Sequence, residues 1–103
     1  MFEVQYSKAA LDDLDDIWAY IALELLNPDA AANTVNGIMD TIDRLAGYPL
    51  SGTPLNALLD IESDYRFVIY RSYLAFYHIE ANAVRIDRVL YEGREIVKAL
   101  FRN

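Results

Sequence analysis

The 103 residues contain no cysteine, so no disulfide framework, thiolate nucleophile or thiolate metal site is available. With one histidine, His78, a zinc site would need several carboxylates gathered around a single imidazole, and no such cluster is visible. Neither a metal nor any other cofactor is expected. No apolar stretch approaches the ~18 residues that cross a bilayer. The opening Met1-Phe2-Glu3-Val4 lacks both the basic region and the apolar run of a signal peptide. These absences predict a cytoplasmic protein with no membrane partner. Basic residues are scarce as well. Nine Lys and Arg face sixteen Asp and Glu, a net charge of −7 that argues against general polyanion binding.

What the chain does have is apolar content, 54% of residues against 24% charged, which suits a globular interior and argues against disorder. Its length predicts one domain, residues 1–103. Charge is unevenly spread. Residues 1–64 carry two cations against twelve acids, a balance of −10, whereas residues 65–103 carry seven against four, a balance of +3. Any anion-handling surface is expected in the C-terminal half.

Phe2 to Tyr6 alternates apolar and polar residues, as a half-buried strand does. Ser7 is a plausible N-cap for a helix whose apolar stripe runs Leu11, Leu14, Ile17, Trp18, Ile21 and Leu25. Asp12, Asp13, Asp15 and Asp16 fall on the opposite face, near the helix N-terminus that favours negative charge. Asn27-Pro28-Asp29 ends this helix and starts a second, with Ala31, Val35, Ile38, Ile42 and Leu45 inward and Gly47 as a left-handed stop. So short a connection makes the helices antiparallel neighbours. Gly37, inside the second helix, costs about 1 kcal/mol relative to Ala and implies a close contact there.

Residues 48–64, with Pro49, Gly52 and Pro54, read as loop with a short turn near 55–61. Three strand-like runs follow at 65–70, 73–79 and 84–90, and apolar spacing at Ile96, Val97, Leu100 and Phe101 predicts a terminal helix. The order is β-α-α-β-β-β-α: an α+β fold, with a helical hairpin packed on one face of an antiparallel four-stranded sheet.

Five elements along the chain resemble the RelE/ParE superfamily of type II toxin–antitoxin toxins. They are Val4-x-Tyr6-Ser7-x-x-Ala10-x-x-Asp13-Leu14, Leu45-x-x-Tyr48-Pro49-x-x-Gly52, Tyr65-Arg66, Tyr73-x-x-x-Tyr77 and Ile86-x-Arg88-Val89-Leu90-Tyr91-Glu92-Gly93-Arg94-Glu95. The resemblance implies a growth-inhibiting toxin, of the kind linked to plasmid stabilization, neutralised by a small cognate antitoxin. Its target is either ribosome-bound mRNA, cut without metal, or DNA gyrase, inhibited without any cutting. An inactive relative kept as a protein-binding module is the alternative.

Metal-free RNA cleavage needs a base, an acid and cations around the phosphorane. Arg66 and Arg88 are the candidates to hold phosphate, since guanidinium matches it bidentately. Tyr91 is the candidate to donate a proton or hydrogen bond, and Arg94 to contact a nucleic-acid backbone. Each also has a structural reading: Arg66 and Arg88 as ion-pair partners of acids, Tyr91 as a packing aromatic, Arg94 as a helix-surface charge and His78 as a satisfied structural residue. The resemblance departs from the ribonuclease pattern at Leu74, where those enzymes carry Arg, at Tyr91, where they carry His or Lys, and in residues 51–64, which have no Lys or Arg.

Strand register decides the surface. A two-residue loop at Arg71-Ser72 sets Ile69 opposite Leu74 and Arg66 beside Tyr77; a three-residue loop puts Leu74, Phe76 and His78 on the face of Arg66. The family pattern, with Tyr73, Ala75, Tyr77 and Ile79 toward the helices, leaves Arg66, Val68, Tyr70, Leu74, Phe76 and His78 on the far face. That face, covered by the terminal helix or by a partner's helix, is the expected antitoxin-docking surface.

Overall fold

A computed structural model of the protein describes residues 1–93 and 95–101. Strand β1 (Glu3–Tyr6) leads through Ser7 into α1 (Lys8–Ala19). Ser7 has extended backbone and accepts the Ala10 N–H at 2.9 Å, which satisfies one of the donors a helix start leaves free. The inward stripe of α1 is rotated from the predicted one. Ala10, Leu14 and Ile21 are buried, Leu11 and Trp18 are exposed, and Asp13, assigned by periodicity to the solvent face, is only 9% exposed.

After α1 the chain makes a π-helical turn (Tyr20–Glu24), closed by the Leu25 N–H on the Tyr20 carbonyl at 3.1 Å. Asn27 caps α2 (Pro28–Asp43) by accepting the Ala30 N–H at 3.1 Å. Helix α2 tightens into a 3-10 turn, Arg44–Ala46, and Gly47 follows with φ −94°. The left-handed stop expected at Gly47 is therefore absent, because the tightened turn bonds the Gly47 N–H to Arg44 instead.

The remaining elements are β2 (Thr53–Pro54), β3 (Arg66–Tyr70), β4 (Tyr73–Glu80), β5 (Ala83–Tyr91) and α3 (Ile96–Phe101). The sheet has five strands in the order β1-β5-β4-β3-β2. It is mixed rather than wholly antiparallel, since β1 pairs parallel with β5, Val4 opposite Val84 and Tyr6 opposite Ile86. The fifth strand, β2, comes from the predicted loop and pairs only Thr53 and Pro54 with β3. The helical hairpin covers one face of the sheet, so the α+β class and its layering agree with the sequence reading.

The β3–β4 connection has two residues. Ile69 lies opposite Leu74 and Arg66 opposite Tyr77. Residues directly opposite share a face, so Val68, Tyr70, Tyr73, Ala75, Tyr77 and Ile79 all pack with the helices around Leu14, Ile38 and Ile42. The predicted far face is corrected accordingly: Arg66, Val68 and Tyr70 belong to the helix side, and the other face carries Phe67, Leu74 and Phe76 with Leu90 of β5. Tyr70 also accounts for Gly37. A Cβ there would overlap the Tyr70 ring, so glycine lets α2 approach β3.

A β-bulge in β5 changes its phase. Phe76 pairs with Arg88 and Tyr77 with Ile86, leaving Asp87 as the extra residue. Val84, Ile86 and Val89 consequently all point toward the helices. The junction after β1 holds this bulge: the Ser7 N–H donates to the Ile86 carbonyl at 2.9 Å, and Ser7 Oγ donates to the Asp87 carbonyl at 2.8 Å. Beyond that point β5 has no strand neighbour on this side, and α1 takes over. The Asp13 carboxylate accepts the Val89 N–H at 2.9 Å and a bidentate pair from Arg88, Nε at 2.7 Å and Nη2 at 2.8 Å. On the far face, Ile96, Ala99 and Leu100 of α3 close over the second core cluster, and Arg88 Nη1 donates to the Ala99 carbonyl at 3.3 Å.

Removing one member of a buried pair strands the other. Asp13→Ala is expected to lower the unfolding free energy by about 3 to 5 kcal/mol, read from urea denaturation. Adding Arg88→Met to it should recover part of that loss; a double variant no more stable than the single one would contradict the assignment. Tyr6 offers a pH test. Its hydroxyl is buried without a hydrogen-bond partner among the described residues, and burial, with Asp43 nearby, pushes its pKa up to about 12. A raised phenol stabilises the fold fully below the unfolded value of 10.0, and that contribution disappears as pH climbs toward 12. Tyr6→Phe should flatten the stability profile between pH 10 and 12, measured by chemical denaturation at stepped pH.

Candidate functional site

The sequence-selected arginines are not brought together. Arg66 opens β3 on the helix side, where Nη1 donates to the Gly52 carbonyl at 2.8 Å and to the Leu50 carbonyl at 3.3 Å. The same loop is held by Tyr77, whose hydroxyl accepts the Gly52 N–H at 3.0 Å and donates to the Pro49 carbonyl at 2.7 Å. Burial raises the Tyr77 pKa, opposed by the Gly52 N–H and the Arg66 charge. Arg66 thus pins the 50s loop to the sheet. Arg88 lies two strands away, opposite Phe76 of the other face, and its guanidinium is committed to Asp13. The Asp13 hydrogen bond raises the Arg88 pKa further, so this cation stays charged and engaged. Arg94 lies outside the described residues.

Tyr91 ends β5 opposite Tyr73 and is 54% exposed. The two rings meet edge to face, with centroids 5.6 Å apart. The bulge turns Tyr91 to the helix side, where it borders a cavity of about 710 Å³ between the end of α1 and the ends of β4 and β5. Tyr20, Tyr73 and Tyr91 line it with Asp16, over a floor of Ile21 and Val89. Burial raises the Tyr73 pKa, and the neighbouring Tyr91 and Tyr20 phenols add to the shift.

A second cluster occupies the opposite face. His78 Nδ1 lies 2.6 Å from Asp87 Oδ2, and Nε2 lies 3.3 Å from Glu80 Oε2. Tyr65 stands edge-on to His78 at 5.7 Å and to Phe101 of α3 at 5.5 Å. Burial, then the Asp87 carboxylate, raise the Tyr65 pKa. Asp87 follows inward Ile86, so strand alternation places it on the face of His78. This arrangement sets an imidazole between two carboxylates, and the cation at the paired strand position, Arg85, is shared with Glu80 at 3.8 Å and with Gln5 at 3.0 Å. Among the described residues, no group of three histidines and carboxylates is placed to hold a metal ion, and no helix is long and apolar enough to cross a membrane.

Sequence reading missed Asp13, Asp87, Tyr20 and Tyr73. One signal was available for the bulge: the inward residues Val84, Ile86 and Val89 are spaced two and then three apart, which a regular strand forbids. Tyr20 had no such signal, because it depends on the π-helical turn, whose extra residue shifts helical phase.

Residues 4–96 match the family described as ParE toxin of type II toxin-antitoxin system, parDE. A protein of Sinorhizobium fredii (strain NBRC 101917 / NGR234) named "Putative toxin Y4kP" is 45% identical over 51 residues, which is 50% of this chain and 51% of that protein. The match spans about half the length of that relative. Among solved structures, a chain described as the chromosomal ParDE TA system from P. aeruginosa superposes with a TM-score of 0.75 at 19% identity, covering 88% of this chain and 96% of that one. At that identity the superposition shows the shared fold. The extent of the family match, nearly from end to end, shows that this chain belongs to the ParE toxin family of type II toxin–antitoxin systems.

Proposed function

We propose that the protein arrests growth by binding DNA gyrase without cutting nucleic acid, and that a small cognate antitoxin keeps it silent in the cytoplasm. The observation that carries this reading is the separation of Arg66 and Arg88. One is spent on loop carbonyls at one face, the other on Asp13 at the β5 edge. Cleavage through a phosphorane needs cations converging on one phosphate, with an acid and a base beside it. Two guanidiniums already engaged on different strands do not supply that. An acidic N-terminal half, at −10 over residues 1–64, also repels RNA at long range. A binding inhibitor needs no such convergence.

Ribosome-dependent mRNA cleavage is the second reading, favoured by one observation, the cluster of Tyr65, His78 and Asp87, in which a carboxylate lies 2.6 Å from the imidazole. In that mechanism His78 serves as the base, and Tyr91, on the helix side of the sheet, takes no part.

Induced expression in a bacterial host separates the two. Gyrase inhibition predicts loss of plasmid supercoiling and accumulation of DNA breaks, with transcripts intact by primer extension and growth restored when the neighbouring small open reading frame is co-expressed. Transcripts cut within codons, with cutting abolished by His78→Gln, would replace the first reading by the second.

A further inference from the structure

The cavity at the end of α1 has a consistent chemistry. Every ionisable group on its wall is an acid or a phenol: Asp13 and Asp16, with Tyr20, Tyr73 and Tyr91. The charge of Asp13 is met by Arg88. Asp16 is solvent-exposed at the rim and forms no ion pair among the described residues. The aromatic part is arranged rather than incidental. Tyr73 and Tyr91 meet edge to face across β4 and β5, and the π-helical turn begins at Tyr20, which is 57% exposed. Half-exposed Tyr20 and Tyr91 and the more buried Tyr73, beside an apolar floor of Ile21 and Val89, make a wall that is apolar in body and electron-rich at its ring faces.

We infer that this cavity, walled by Tyr20, Tyr73 and Tyr91 with Asp16 at its rim, receives an arginine side chain carried on an apolar segment of a partner protein. Ring faces attract cations, and guanidinium stacks on them more readily than ammonium. The Asp16 carboxylate supplies a charge-assisted acceptor for the N–H groups. The volume, about 710 Å³, exceeds what one guanidinium fills, so apolar neighbours of the arginine occupy the rest against Ile17 and Leu25. Charge complementarity extends past the cavity, because exposed Asp15 continues the acidic face of α1, while Asp12 is paired with Lys8 at 2.9 Å. An acidic segment meets repulsion there, and neither an acidic nor a neutral one gains the attraction between cation and ring face. The inference stands on these side chains alone and is independent of whether gyrase or mRNA is the target.

Phenethylguanidinium and its neutral isostere phenethylurea test it, titrated into the ¹⁵N-labelled full chain. The guanidinium should shift the Asp16, Tyr20, Tyr73 and Tyr91 amides with a dissociation constant of order a millimolar, and the urea should bind about tenfold more weakly. Asp16→Asn and Tyr91→Leu should each weaken the guanidinium several-fold while leaving the urea unchanged, and Tyr91→Phe should retain binding, since the ring face is kept. Both positions are exposed, so the fold survives the changes. Equal binding of the two probes, shifts clustered elsewhere, or full affinity in Tyr91→Leu would each overturn the inference. Toxicity enters none of these readouts, so a failed gyrase assay and a failed titration are distinguishable.

Discussion

The Asp13 carboxylate holds the two layers of this molecule together at the place where the sheet has no strand to offer. Strand β1 ends at Tyr6, and β5 continues to Tyr91 with an uncovered edge. A bare backbone donor beside a packed helix is costly. Helix α1 answers with one side chain that accepts the Val89 N–H and both arms of the Arg88 fork. Arg88, held this way, also reaches the Ala99 carbonyl on the far face. One ion pair therefore connects the hairpin, the sheet edge and the C-terminal helix. A basic residue that looks like a ligand-binding group in the sequence is a fastening in the fold.

The bulge at Asp87 is the second constraint, and it depends on the same junction. Ser7 binds the carbonyls of Ile86 and Asp87 while capping α1, so the start of the helix and the phase shift of β5 are set by one residue. Downstream of the shift, Val89 and Tyr91 face the hairpin while Arg88 and Leu90 do not. One of the two candidate surfaces follows: the Tyr91 cavity exists because the shift turns that ring inward, whereas the His78 cluster uses Asp87, which alternates with inward Ile86 as in a regular strand.

Periodicity carried the element order, the helical hairpin and its caps at Ser7 and Asn27, because those depend on local spacing and short-range hydrogen bonds. Gly37 was legible as a point of close approach, although its partner, Tyr70, was not. What escaped the sequence is long-range. Pairing of β1 with β5 joins residues some eighty positions apart, and nothing in the first strand marks its partner. The face of Arg66 turned on a single residue of loop length, since a pleated strand exchanges its faces with each one-residue slip. Asp13 sat among four acidic residues in a stretch of five, split by Leu14, and was indistinguishable there from its solvated neighbours Asp12, Asp15 and Asp16.

The contact between Gly37 and Tyr70 ties two positions into one unit of volume. The hydroxyl end of the ring occupies the space that a side chain at position 37 needs, so the bare Cα of Gly37 and the tip of Tyr70 share one gap between helix layer and sheet. Enlarging position 37 alone wedges the hairpin outward and loosens every ridge along Ile38 and Ile42. Exchanging bulk between the two positions keeps the spacing, so relatives that abandon glycine here should carry a smaller residue at the strand, and homologous chains should show the two sites changing size in opposite directions.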